Sequence, residues 1–263
     1  MIRSIGALPV LLCAIGLAAA APSHKPGSGA RGPQAPAKAH ARAPARPVAA
    51  RLQTPSDVTA TPAYRYGQLS QAACEAELTA RHIGFGRERA LGVLAPVRLR
   101  GPLNGVLFRT ELSEKERAKS PNEIADCRLI LALSDCTEIF QRHGIVEVRH
   151  YSMYRPPTGP WHRGKTALHH TGAMAIDAGR FVTKSGAVLD VDRHFHGAIG
   201  ARTCGPGAGP RPATAEAKKL RALLCELVGH RLFNVVLTPN YNAPHKNHFH
   251  LEVTAGVKWF LVN

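Results

Sequence analysis

The chain has 263 residues, of which 44% are hydrophobic, and its 34 lysines and arginines against 18 aspartates and glutamates give a formal net charge of +16. That apolar share supports a sizeable core and excludes a chain disordered throughout, while past the amino terminus no stretch reaches the roughly 18 consecutive apolar residues of a membrane-spanning helix. The basic excess draws polyanions.

At the amino terminus Arg3 precedes an apolar run from Ile5 to Leu17 that ends in the small residues Ala18 to Ala21. This layout predicts a secretory signal over residues 1–21. Cys13 lies inside the apolar core of that signal and follows Leu12, which argues against a lipoprotein. From Pro22 to Pro55 the chain is alanine, proline, glycine and basic residues without one acidic group, so residues 22–60 read as a disordered basic linker. Residues 61–263 are expected to form one domain, exported to the periplasm or secreted, with no transmembrane segment in the mature chain. Its expected partner is peptidoglycan or another anionic envelope polymer, and export argues against nucleic acid. Without the signal five cysteines remain, Cys74, Cys127, Cys136, Cys204 and Cys225, so an oxidising compartment leaves one thiol over. Cys127 and Cys136, nine apart in a helical pattern, point to opposite sides and are not expected to pair.

Within the domain, Leu69 to His82 has helical spacing, and "VRLRGPLNGVLFRTEL" has extended character with turns at Gly101-Pro102 and Asn104-Gly105. Ile124 to Gly144 is predicted as a helix with an apolar side of Ile124, Leu131, Ile139 and Phe140, stopped at Gly144 and packed on a sheet. "IVEVRHYSMYR" alternates as a strand, "AMAIDAGRFV" and "AVLDV" form a hairpin around Ser185-Gly186, and "TAEAKKLRALLCELVGH" is a helix capped by Thr214 or an upstream residue. "RLFNVVL" and "HFHLEV" close as strands. Helices and hairpins in this order, without regular β-α-β alternation, predict an α+β domain with a mainly antiparallel sheet packed against helices.

Two segments concentrate histidine: "HHTGAMAID", His169 to Asp177, and "HKNHFHLEV", His245 to Val253. In the second, a period of 2 places His248, His250 and Glu252 on one face and Phe249, Leu251 and Val253 on the other. In the first, Gly172 allows a bend, so that His170 stands in the approach loop while Asp177 lies in the strand, with Met174, Ile176 and Ala178 toward the core. Two imidazoles and a carboxylate with an open position suit catalytic zinc, although a polar strand face simply facing water gives the same pattern. No H-E-x-x-H motif occurs.

The H-x6-D step followed by a terminal H-x-H on a strand resembles the lysostaphin, D-Ala-D-Ala peptidase and hedgehog group of zinc domains. More narrowly, "YSMYRPP", "HHTGAMAIDAGRFVTKSGAVLDV" and "LCELVGHRLFNVVLTPNYNAPHKNHFHLEV" resemble the bacterial extensin-like C-terminal family, from about Cys127 to Val253. The resemblance implies a hedgehog/DD-peptidase-like fold in which His170, Asp177 and His250 bind zinc. It makes His248 a catalytic imidazole, His245 a further active-site group and Arg155 a ligand for a substrate carboxylate or the oxyanion. Tyr241 and Asn242 would shape the substrate pocket, with a turn role as the alternative. Leu168 stands where the family pattern has serine, and Ala173 fills the slot of its glycine, which here appears as Gly172. The activity so implied is zinc-dependent hydrolysis of peptidoglycan peptide bonds, as endopeptidase or carboxypeptidase. The alternatives are a non-catalytic wall-binding or partner-binding module on the same fold, and a basic polyanion binder whose histidines are incidental.

Overall fold

The computed structural model describes residues 52–162 and 164–263, so the expected signal and most of the expected linker lie outside the described residues. In chain order the elements are β1 (Leu52–Gln53), α1 (Pro62–Gly67), α2 (Gln71–Ala80), β2 (Phe85–Arg87), β3 (Pro96–Leu99), β4 (Leu107–Arg109), α3 (Glu114–Arg117) and β5 (Ile124–Asp126). There follow α4 (Cys127–Arg142), β6 (Ile145–His150), β7 (Ala175–Thr183), β8 (Val188–Asp190), α5 (Val191–His194), α6 (Ala215–Gly229), β9 (Val235–Leu237), β10 (Phe249–Glu252) and β11 (Phe260–Val262).

The domain is α+β. An eight-stranded sheet runs β1-β11-β9-β10-β7-β6-β4, with β8 on β7, and a separate three-stranded sheet runs β2-β3-β5. Most neighbours are antiparallel, but β4 with β6 and β9 with β11 are parallel, so the large sheet is mixed. The expected linker end contributes to it, since β1 pairs with β11, and Val58 is buried with Ala63 and Phe260.

Helix α4 is the central support. Its amino end is capped by Asp126, whose carboxylate accepts from the Arg128 backbone at 3.0 Å and from the Arg128 guanidinium. The helix therefore begins at Cys127, and the three residues before it, expected as its first turn, form β5 instead. Besides the apolar side read from the sequence, Leu129, Ile130 and Leu133 are fully buried, because α4 packs on β6 and is also covered by α1, α2 and α6. A stripe cannot be seen in a helix wrapped on several sides. Gly144, with φ of 70°, stops the helix in the left-handed region. Thr214 caps α6 by accepting from Ala217 N.

Two disulfides, Cys74–Cys127 and Cys204–Cys225, tie α2 to α4 and the preceding loop to α6, while Cys136 is free and buried. Native disulfides in small domains contribute roughly 2–5 kcal/mol each, and they fit an oxidising compartment. Among the described residues no helix is long and apolar enough to cross a membrane.

Candidate metal centre

The centre is assembled from β7, β10 and the irregular chain between β6 and β7. On β10 and β7 the register pairs His250 directly with Asp177, Phe249 with Ala178 and Leu251 with Ile176. Strand alternation then divides the labour: Phe249, Leu251, Ile176 and Ala178 enter the main core, and Asp177, His248, His250 and Glu252 turn to the other face. His170 comes from a 3-10 helix at His169–Gly172, just before β7.

That short helix is held in a conformation its residues do not prefer. His169 and Ala173, on either side of His170, both have φ of 53°, in the left-handed region. Ala173 thus adopts a conformation that suits glycine. Gly172 is required for another reason, since a Cβ there would collide with the Ala167 carbonyl. Arg155 N donates to His170 O at 3.0 Å, and Asp177 N to Ser152 O at 3.1 Å, so the chain after β6 clamps both ligand segments.

Three donor atoms converge. His170 Nε2 lies 3.0 Å from Asp177 Oδ1 and 3.2 Å from His250 Nδ1, and His250 Nδ1 lies 3.1 Å from Asp177 Oδ1. All three residues are buried. Four donors at zinc's usual 2.0–2.1 Å in a tetrahedron stand about 3.3 Å apart, so the spacing fits that ion. The outer nitrogens are committed elsewhere: His170 Nδ1 to the Met153 carbonyl at 3.1 Å and His250 Nε2 to Glu252 Oε2 at 3.0 Å. Both acceptors receive a ring N–H and leave the inner nitrogens facing Asp177 Oδ1, across a shared proton or a cation.

Electrostatics reinforce this. Burial pushes Asp177 up, but hydrogen bonds from His170, His248 and His250 outweigh it and hold the carboxyl far below the usual range. Burial likewise opposes ionisation of Glu252, and bonds from His169 and His250 lower it to about 2. His250, between these two carboxylates, is raised to about 9 despite its burial. The pocket holds two ionised carboxylates and so favours positive charge at its centre.

The other expected site residues surround the three ligands. His248 Nε2 is 3.2 Å from Asp177 Oδ1 and its Nδ1 is 2.8 Å from Asn247 Oδ1. The His245 ring is 5.2 Å from that of His248 and 5.6 Å from that of His250. Burial, then the neighbouring His248 and His250, lower its pKa to about 4, so it is neutral at pH 7. Asn242 caps the 3-10 turn at Ala243–His245 and accepts from His245 Nδ1 at 2.6 Å, while Tyr241 places its ring edge-on to His245 at 5.5 Å. Both thus have a local orienting role. Arg155 donates to Ser152 Oγ through Nε at 2.9 Å and to Asp177 Oδ2 through one terminal nitrogen. Its side chain is still 55% exposed, and its other terminal nitrogen has no partner among the described residues.

Sequence reasoning assigned no role to Glu252, Met153, Asn247 or Tyr151. Glu252 was accessible to it, two residues beyond His250 on the same strand face. The Met153 carbonyl was not, because a backbone acceptor has no residue signature. Tyr151 lies against Gly179 and edge-on to His248 at 5.9 Å.

These residues define an α+β domain with a His-Asp-His centre on an antiparallel strand pair. The chain matches the family model for the extensin-like protein C-terminus over residues 109–261, more than half its length, and belongs to that family. No curated protein and no solved structure matches it.

Proposed function

We propose that this chain is an exported zinc-dependent peptidase that hydrolyses peptide bonds of peptidoglycan, on a fold of the hedgehog/DD-peptidase kind. The observation that carries the reading is the convergence of His170 Nε2, Asp177 Oδ1 and His250 Nδ1 within 3.2 Å of one another, with both outer ring nitrogens bound to oxygen acceptors. His170, Asp177 and His250 would hold zinc, which would supply Lewis-acid chemistry for polarising a carbonyl and activating water.

The remaining steps belong to the side chains. His245, neutral and with its Nδ1 proton held by Asn242, offers Nε2 as the acceptor for a proton from the attacking water. His248, its Nδ1 held by Asn247, would turn Nε2 from Asp177 Oδ1 to steady charge developing on the carbonyl oxygen. Arg155 keeps a free guanidinium nitrogen for a substrate carboxylate, and peptidoglycan peptides carry such groups. The two disulfides and the net charge of +16 support residence outside the cytoplasm near an anionic wall.

The test is incubation of the purified zinc-loaded protein with isolated peptidoglycan and chromatography of the released muropeptides. The proposal expects new peptide fragments from the wild type and none from His248→Ala or His245→Ala, both still binding zinc. Zinc binding without any product would overturn the hydrolase in favour of a wall-binding module.

A further inference from the structure

Glu252 touches none of the reacting positions, yet it is a fully buried carboxylate with both oxygens engaged. Oε2 accepts from His250 Nε2 at 3.0 Å and from His169 Nδ1 at 2.7 Å, and Oε1 accepts from the Thr254 hydroxyl at 2.8 Å. A carboxylate this deep is costly unless its oxygens are paired. Its position is specific: two residues beyond His250 on β10, on the same face, directly behind the ring that presents Nδ1 to Asp177.

We propose that Glu252 is a positioning residue for His250, and that His169 closes it off from solvent; the inference rests on the metal reading of this site. An imidazole offers either nitrogen to a cation, and the choice is made by whatever holds the proton on the other one. For His250 the holder is Glu252, which fixes the ring proton on Nε2, aims Nδ1 at Asp177 and His170, and as an anion makes the ring a stronger donor. His170 has only the Met153 carbonyl in that place. The two ligands are therefore supported unequally, and His250 depends more on its support.

His169 is the outer member of this chain of contacts. Its side chain is 66% exposed, and its imidazole lies on the oxygen of Glu252 that receives His250. Without it that oxygen would meet water, which competes with the His250 bond. The doublet His169-His170 thus has separate tasks: one histidine faces the metal position, and its neighbour secures the carboxylate behind the opposite ligand.

The test compares zinc affinity, by competition with a chromogenic chelator, in wild type, Glu252→Gln, Glu252→Ala and His169→Ala, with cobalt absorption spectra as a second readout. Loss of an outer-shell partner typically weakens a metal site roughly 10–100-fold. Glu252→Ala is expected near the upper end. Glu252→Gln, which retains an oxygen for Nε2 but no charge, falls near the lower end with a wild-type cobalt spectrum, and His169→Ala loses several-fold. If Glu252→Ala does not fold, Glu252→Gln and His169→Ala decide the matter. Lowered thermal stability of the metal-free variants with unchanged zinc affinity would make Glu252 merely structural and overturn the inference. A wild-type chain that binds no zinc would overturn the metal reading itself.

Discussion

The two segments that supply the proposed metal ligands reach the same point by opposite means. Strand β10 is regular: alternation sends Phe249 and Leu251 into the core, which by itself turns His248, His250 and Glu252 the other way. The His169–Gly172 turn is irregular, with His169 and the following Ala173 left-handed and Gly172 pressed on the Ala167 carbonyl, and it is aimed by tertiary contacts from the chain after β6. A strand position is set by its neighbours in sequence, whereas the turn is set by its neighbours in space. The strand should therefore fail through charge when altered, and the turn through geometry.

Removing the strand ligand should have the largest effect. His250→Ala leaves Asp177 and Glu252 buried without the cation between them, and breaking a buried ion pair costs roughly 3–5 kcal/mol. His170 faces only one carboxylate and the Met153 carbonyl, so His170→Ala should cost about half as much, although both variants should lose the proposed metal. Urea unfolding of the metal-free proteins measures the difference, and equal losses would contradict the contrast.

Strand β6, whose register with β7 shifts between Arg149 and His150, carries the clearest pH effect. His150, at the end of β6, is buried, its ring nitrogens have no hydrogen-bond partner among the described residues, and burial lowers its pKa to about 4, with Glu123 only partly compensating from 4.0 Å. Its proton is bound more readily in the unfolded chain, so stability is intact above about pH 6.5 and declines as the pH falls toward 4. The loss should be of order 3 kcal/mol. His150→Leu should flatten that part of the profile when unfolding is followed in chelator, and an unaltered profile would assign the acid sensitivity elsewhere.

Geometry governs the turn. Gly172→Ala should lower stability by about 1–3 kcal/mol, since the new Cβ meets a backbone carbonyl that cannot rotate away. Ala173→Gly should have the smallest effect. Relief of a left-handed alanine, worth about 1–2 kcal/mol, is offset by a looser unfolded chain and a lost buried methyl, leaving a change within about 1 kcal/mol. Thermal melts of the two variants side by side separate close contact from strained backbone.

This contrast also explains what was legible in the sequence. Period-2 alternation was enough to place His248 and His250 on one face, and the cap at Thr214, the turn at Ser185-Gly186 and the stop at Gly144 marked their elements correctly. Strands β3 and β4 fall in the stretch read as extended, but the three-stranded sheet was hidden, because β2 has only three residues and β5 runs without a break into the apolar pattern of α4. The parallel pairs β4/β6 and β9/β11 depend on contacts between distant segments, which no local period reports. At the site, His170 was separable from His169 by its seven-residue step to Asp177. The grip of Arg155 on Asp177 and of Met153 on His170 followed only once the chain was folded.

The most direct test of the account is zinc titration of the purified protein beside His170→Ala and His250→Ala, with metal content read by atomic emission after gel filtration. One zinc per wild-type chain and none in either variant is the predicted result. A wild-type chain that retains no zinc, or variants that retain it in full, would contradict the metal centre proposed for His170, Asp177 and His250.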